Sequence, residues 1–99
     1  MEKSIVQENK GYCFLCSRNG IGDPLEEHHI FGGNPGRRLS EEDGLKVYLC
    51  GSRCHRLGKD SAHQSRETRR FLQRIGQEAW EKKYGTREQF RARYGKSYL

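Results

Sequence analysis

Long apolar runs are what this 99-residue chain lacks most plainly. Its first eight residues contain no stretch of signal-peptide character, and no later segment is apolar for long enough to span a bilayer. A membrane partner is thereby excluded from the expectations and a cytoplasmic location is expected. Hydrophobic side chains are also scarce, at 32% of residues. A chain this short buries a modest fraction of its surface, so the expected core is thin and something else must help hold the fold. No internal repeat, low-complexity segment or linker divides the chain, which is expected to form one domain.

Acidic residues run short in one half only. Residues 1–60 carry nine Lys/Arg and nine Asp/Glu, whereas residues 61–99 carry ten and four, so the whole net charge of +6 lies in the second part. A basic lobe joined to a neutral one suits a polyanion, phosphates above all. The plainer alternative is a solvated helical face of mixed charge.

What is present is concentrated in cysteine and histidine. Cys13-x2-Cys16 precedes a turn-rich stretch, and Cys50-x3-Cys54 forms a second knuckle about 34 residues on. Two such knuckles can deliver four thiolates to one tetrahedral Zn2+, and in a reducing compartment zinc is favoured over disulfides. The x3 spacing is the less common one, and the adjacent His55 is an alternative fourth ligand. Such an ion would fasten the loop before the first strand to the end of the second.

The pattern between the knuckles predicts an α+β fold. Residues 25–31 read as a strand, 32–36 as a loop, 40–43 as a single capped helical turn stopped by Gly44, and 47–50 as a second strand. Residues 1–10 are expected to be loosely held, 11–60 to form the core, and 61–99 to be a helical extension packed on it. Within the extension Ser61 caps a long helix whose Phe71, Leu72, Ile75, Ala79 and Trp80 share one side. Thr86 and Gln89 cap a second helix, with Phe90 and Tyr94 turned inward to pack.

His28 and His29 are neighbours on the first strand, so in regular geometry they point to opposite faces and cannot share one ion ideally. Divided labour follows: one imidazole as a metal ligand, the other as a proton acceptor, for which an ordinary pKa of about 6.5 is suited. The acceptor needs a fixed partner for its second ring nitrogen, typically a backbone carbonyl.

These residues resemble the HNH endonucleases, specifically the small phage-type members. The resemblance is carried by Cys13-x2-Cys16, by Glu27-His28-His29-Ile30-Phe31-Gly32-Gly33, by Arg37-Arg38-Leu39-Ser40-Glu41, by Gly44 to Cys50, by Cys54-His55, by Ala62-His63, and by the two closing segments from Tyr84 to Phe90 and Tyr94 to Leu99. It covers nearly everything after residue 10. It implies a zinc-stabilised ββα-metal, treble-clef-like domain that hydrolyses DNA phosphodiester bonds. By that resemblance His29 is the general base, His28 and His55 bind a catalytic divalent ion, and His63 is a third ligand or a phosphate contact. The ion expected is Mg2+ or Mn2+, with Ni2+ or Zn2+ open because imidazoles are poor partners for Mg2+.

Where the subgroup carries an Asn-Arg step this chain has Gly36, and Asn34, two places earlier, is the candidate for the loop-pinning role. Arg37 and Arg38 are expected phosphate clamps, Arg53 and Arg56 lie close enough in sequence to the site to join them, and Arg66, Arg69, Arg70 and Arg74 recur near helical spacing as backbone binders. The family resemblance also implies a bacterial host cytoplasm and, for some members, a phage packaging terminase as partner. The competing expectation is a non-catalytic zinc-stabilised module that binds nucleic acid or a protein.

Overall fold

The computed structural model describes residues 4–99. Along the chain run β1 (Leu25–His29), α1 (Gly36–Asp43), β2 (Lys46–Cys50), a π-helical turn (Gly51–Arg56), α2 (Arg66–Lys83) and α3 (Arg87–Tyr94). The two strands pair antiparallel with His28 opposite Val47 and His29 opposite Lys46, and α1 fills the connection between them. The result is a small α+β unit, with a radius of gyration of 13.0 Å, the value of a single folded body of about 100 residues. No helix among the described residues is long and apolar enough to cross a membrane.

Several boundaries differ from the sequence reading for physical reasons. The helix before Gly44 has 8 residues rather than one turn. It starts at Gly36, because Ser40, read as its cap, is fully buried and spends its hydroxyl on the neighbouring loop: Oγ donates to the Phe31 carbonyl at 3.1 Å and accepts from Phe31 N–H at 3.0 Å. Gly44 does end it, with φ at 76°, a left-handed conformation that favours glycine. Ser65, not Ser61, caps α2 by accepting from Thr68 N–H at 3.1 Å. Ser61 serves a separate turn upstream, where its hydroxyl faces Gln64 N–H at 3.3 Å.

The start of the chain is better held than expected from Ser4 onward. Ser4 Oγ donates to the Lys46 carbonyl at 2.6 Å, and Ile5 N–H to the Gly44 carbonyl at 2.9 Å. The Gln7 side chain is buried; its Oε1 accepts from Tyr48 N–H at 2.8 Å, and its Nε2 donates to the carbonyls of Asn9 and Tyr12. Phe14 N–H donates to the Tyr48 carbonyl at 2.8 Å. A side chain and two loops therefore line the outer edge of β2.

Aromatic packing joins residues near the end of β1 to the helical second part of the chain. Phe31, just past β1, lies 5.6 Å from Phe90 and 4.9 Å from each of Tyr94 and Tyr98, centroid to centroid, and Trp80 lies 5.4 Å from Phe90. Such pairs add to the area they bury. Asp43, at the end of α1, accepts from Trp80 Nε1 at 2.9 Å, Arg93 Nε at 2.7 Å and Tyr94 Oη at 2.7 Å. On α2, Leu72, Gly76, Gln77 and Trp80 face inward, but Phe71 is 46% exposed and does not belong to the packed side.

Candidate metal centre and histidine cavity

The knuckle cysteines come together first. Ligand atoms of Cys13, Cys16, Cys50 and Cys54 all lie within 4.8 Å of one another, with no disulfide among them. Cys54, not His55, completes this group. Local folding explains why: the x3 spacing is absorbed by the π-helical turn, which keeps Cys50 and Cys54 on one side while His55 turns to the other. Asp23 holds the start of that turn, accepting from the N–H groups of Ser52 at 2.8 Å and Arg53 at 2.9 Å.

The charge balance of the four thiols fits a cation. Burial pushes the Cys50 thiol up to about 11, with Cys16 and Cys13 adding, and pushes Cys54 up as well. Burial also opposes ionisation of Cys16, yet the hydrogen bonds from Arg18, Cys50 and Cys13 outweigh it and bring that thiol down to about 6. Four sulfurs this close cannot all ionise without a compensating positive charge, so the cluster could hold a metal ion such as zinc.

On the other side of the turn lie the histidines. Ring centroids are 5.1 Å apart for His28 and His55, 5.7 Å for His28 and His63, and 4.7 Å for His55 and His63. One nitrogen from each falls within 4.8 Å of the others. His63 reaches the group because residues after the turn run back along it: Ala62 N–H donates to the Cys54 carbonyl at 2.8 Å and His63 N–H to the His55 carbonyl at 3.0 Å. Burial pushes the His28 imidazole down to about 3, helped by His55 and His63, so that ring is neutral at pH 7. Burial lowers His63 too. Neutral imidazoles are the form that binds metal.

Strand alternation sorts the sequence Glu26-Glu27-His28-His29 into two acid and imidazole pairs, one on each face. Glu26 shares the face of His28, and its Oε1 accepts from His55 Nδ1 at 2.9 Å and from Arg56 Nε at 3.0 Å. With Nδ1 so engaged, the lone pair of His55 is on Nε2, the arrangement of a carboxylate that orients a metal-binding histidine. Hydrogen bonding from His55 and Arg56 keeps Glu26 below the usual carboxylate range.

The other face carries Glu27 and His29. His29 Nε2 lies 2.8 Å from Glu41 Oε1 on α1 and 3.9 Å from Glu27 Oε1. Lys46, opposite His29 in the register, is 1% exposed and extends its Nζ to 2.7 Å from Glu41 Oε2 and 3.5 Å from Glu27 Oε2. The partner of His29 is thus a carboxylate rather than the backbone carbonyl expected. Burial opposes the charge on Lys46, but Glu41 and Glu27 outweigh it and hold the ammonium above its usual range, and Lys46 and His29 in turn hold Glu41 low.

A single open cavity of about 370 Å³ is lined by all four histidines together with Arg37, Arg69 and Gln73. A shallower depression beside it, lined by His29, Asn34, Arg37, Arg38 and Glu41, receives the loop asparagine and both candidate clamps. Arg38 also pairs with Glu42 at 2.9 Å. A third groove, of about 590 Å³, contains Arg66, Arg69, Arg70, Gln73, Arg74 and Lys96. Arg69 and Gln73 belong to both the histidine cavity and this basic groove. One expected contributor falls elsewhere, since Arg53 lines a depression next to Cys16 and Phe71, whereas Arg56 stays beside the histidines, paired with the Glu26 oxygen that also holds His55. Glu26, Glu41, Lys46 and Gln73 were absent from the sequence-derived site; only the period-two spacing of the two acids from the two histidines signals part of it.

Compared with protein-family models, with curated proteins and with solved structures, the chain matches none.

Proposed function

We propose that the protein is a metal-dependent endonuclease of the HNH type, with a zinc-stabilised ββα-metal core that hydrolyses phosphodiester bonds in DNA. The observation that carries the reading is the convergence of three imidazoles, His28, His55 and His63, on one cavity that His29 also lines. A donor set of nitrogens alone favours a first-row transition ion such as Mn2+, Ni2+ or Zn2+ over Mg2+, and bound there it would stabilise negative charge on the phosphoryl oxygens and the leaving 3' oxygen.

His29 acts as general base. It accepts a proton from water as the water oxygen forms its bond to phosphorus and the bond to the 3' oxygen breaks, and the departing oxygen takes its proton from solvent. Arg37 and Arg69, at the cavity wall, neutralise phosphate charge and align the strand. The basic groove continues this surface along α2, which supports a polyanionic substrate rather than a small phosphate ester.

The test is nicking of supercoiled plasmid across Mg2+, Mn2+, Co2+, Ni2+ and Zn2+. Cleavage by the wild type and a loss of about 100-fold or more in His29→Ala, with unchanged unfolding temperature, is the expected result. Equal cleavage by that variant removes His29 as base. Tight DNA binding without cleavage in any ion would instead favour the non-catalytic module, to which the cysteine cluster and the basic groove are equally suited.

A further inference from the structure

We infer that Glu41, itself fixed by Lys46, is the positioning residue for the His29 imidazole. The inference rests on the reading of His29 as the base and assigns a role to groups that reading does not use.

The geometry is that of a carboxylate held between a cation and an imidazole. Glu41 Oε1 is 2.8 Å from His29 Nε2, while Oε2 is 2.7 Å from Lys46 Nζ. An ionised carboxylate can only accept, so in the neutral His29 ring the proton sits on Nε2, which places on Nδ1 the lone pair that a base requires. Bidentate engagement prevents the carboxylate from rotating away, because turning either oxygen breaks a charge-assisted bond.

Lys46 supplies the second, independent observation. A lysine side chain is almost never fully buried unless paired, and this one is among the largest fully buried side chains in the molecule. Its ammonium also approaches Glu27 at 3.5 Å. The Glu27, His29 and Glu41 cluster has the composition of a metal site, but the ammonium already lies against both carboxylates. The positive charge there is Lys46, and the site orients an imidazole rather than binding an ion. Three elements meet at this point, with Glu41 from α1, His29 from β1 and Lys46 from β2, so the ring orientation is set by the packing of α1 on the hairpin.

The experiment uses the full chain. In zinc-loaded protein, ring 15N NMR is expected to find His29 as the Nε2-protonated tautomer in the wild type and as a mixture in Glu41→Gln and Glu41→Ala. In Mn2+-activated plasmid cleavage both variants are expected to lose roughly 10–100-fold in kcat with KM little changed, the range for removing an orienting partner, and Glu41→Asp is expected to recover part of the loss. Glu41→Gln keeps the side-chain volume and so tests the point even if the alanine variant does not fold. Wild-type kcat in Glu41→Gln alongside an inactive His29→Ala overturns the positioning role and leaves the base intact, as does a His29 tautomer that is the same in all variants. A fully active His29→Ala overturns both.

Discussion

Glu26 and Glu27 differ only in which face of β1 they occupy, and that difference sends one to the His55 imidazole and the other to a buried ammonium. Their period-two relation to His28 and His29 is written in the sequence, but the groups they meet lie far along the chain: His55 is 29 residues from Glu26, and Lys46 reaches Glu27 only through strand pairing. Local pattern thus predicts that the two imidazoles separate, while the identity of each partner depends on tertiary register. Asp23 offers a test at the same scale. Its carboxylate is held below the usual range chiefly by the Ser52 and Arg53 backbone N–H groups. A depressed folded value means that its contribution is present above the unfolded pKa, about 3.9, and is lost as pH falls through the lower folded value. Asp23→Asn should therefore unfold at a lower temperature than the wild type at neutral pH, with the gap closing below about pH 4 as the wild-type carboxyl protonates. A gap constant across pH, followed by circular dichroism, would count against this capping role.

The elements were legible to different degrees. Both strands, the turn-forming glycines and the Thr86–Gln89 capping box follow from composition and spacing, and the box is present with both bonds. The start of α1 was not, because Pro35 and Gly36 read as loop residues and the buried role of Ser40 depends on Phe31 lying across it. The inward face of α2 was only half legible: Phe71 has the right spacing but sits at the rim, and Gly76, a weak helix former, takes the tightest place. A Cβ at Gly76 would stand 3.0 Å from Ile30 Cγ2 and 3.3 Å from Phe31 Cε2. Gly76→Ala gains helix propensity of about 1 kcal/mol against a slight squeeze, so its urea midpoint should stay near that of the wild type. Gly76→Leu should lose roughly 2–3 kcal/mol through overpacking. A Leu variant as stable as the wild type would mean that α2 does not press on the end of β1 at this point.

At the scale of the molecule, the charge asymmetry read from composition becomes a surface. Arg66, Arg69, Arg70, Arg74 and Lys96, half of the basic residues of the second part, line the groove along α2, and Arg69 and Gln73 connect it to the histidine cavity. Arg66, Arg70 and Arg74, spaced four apart on an exposed face, are suited to successive phosphates. Replacing all three with alanine should flatten the dependence of log Kd on log salt by roughly 3 units of slope, at about 0.9 per phosphate contact in duplex DNA. An unchanged slope in fluorescence anisotropy titrations with duplex DNA would count against this groove as the DNA-binding surface of the proposed function. The sequence placed these arginines on one helix; that their face opens toward the histidines follows from the turn of chain at residues 57–65, which no periodicity encodes.

The Gln7 amide bears on how copies of this protein behave toward each other. A two-stranded hairpin ordinarily presents vacant donors and acceptors along its rim, an invitation to templated stacking between molecules. Here Tyr48 offers neither group, since glutamine takes its hydrogen and Phe14 its oxygen. Ladder growth from β2 is blocked at that position by the glutamine side chain and the Phe14 backbone together, so a second copy finds no vacant rung there.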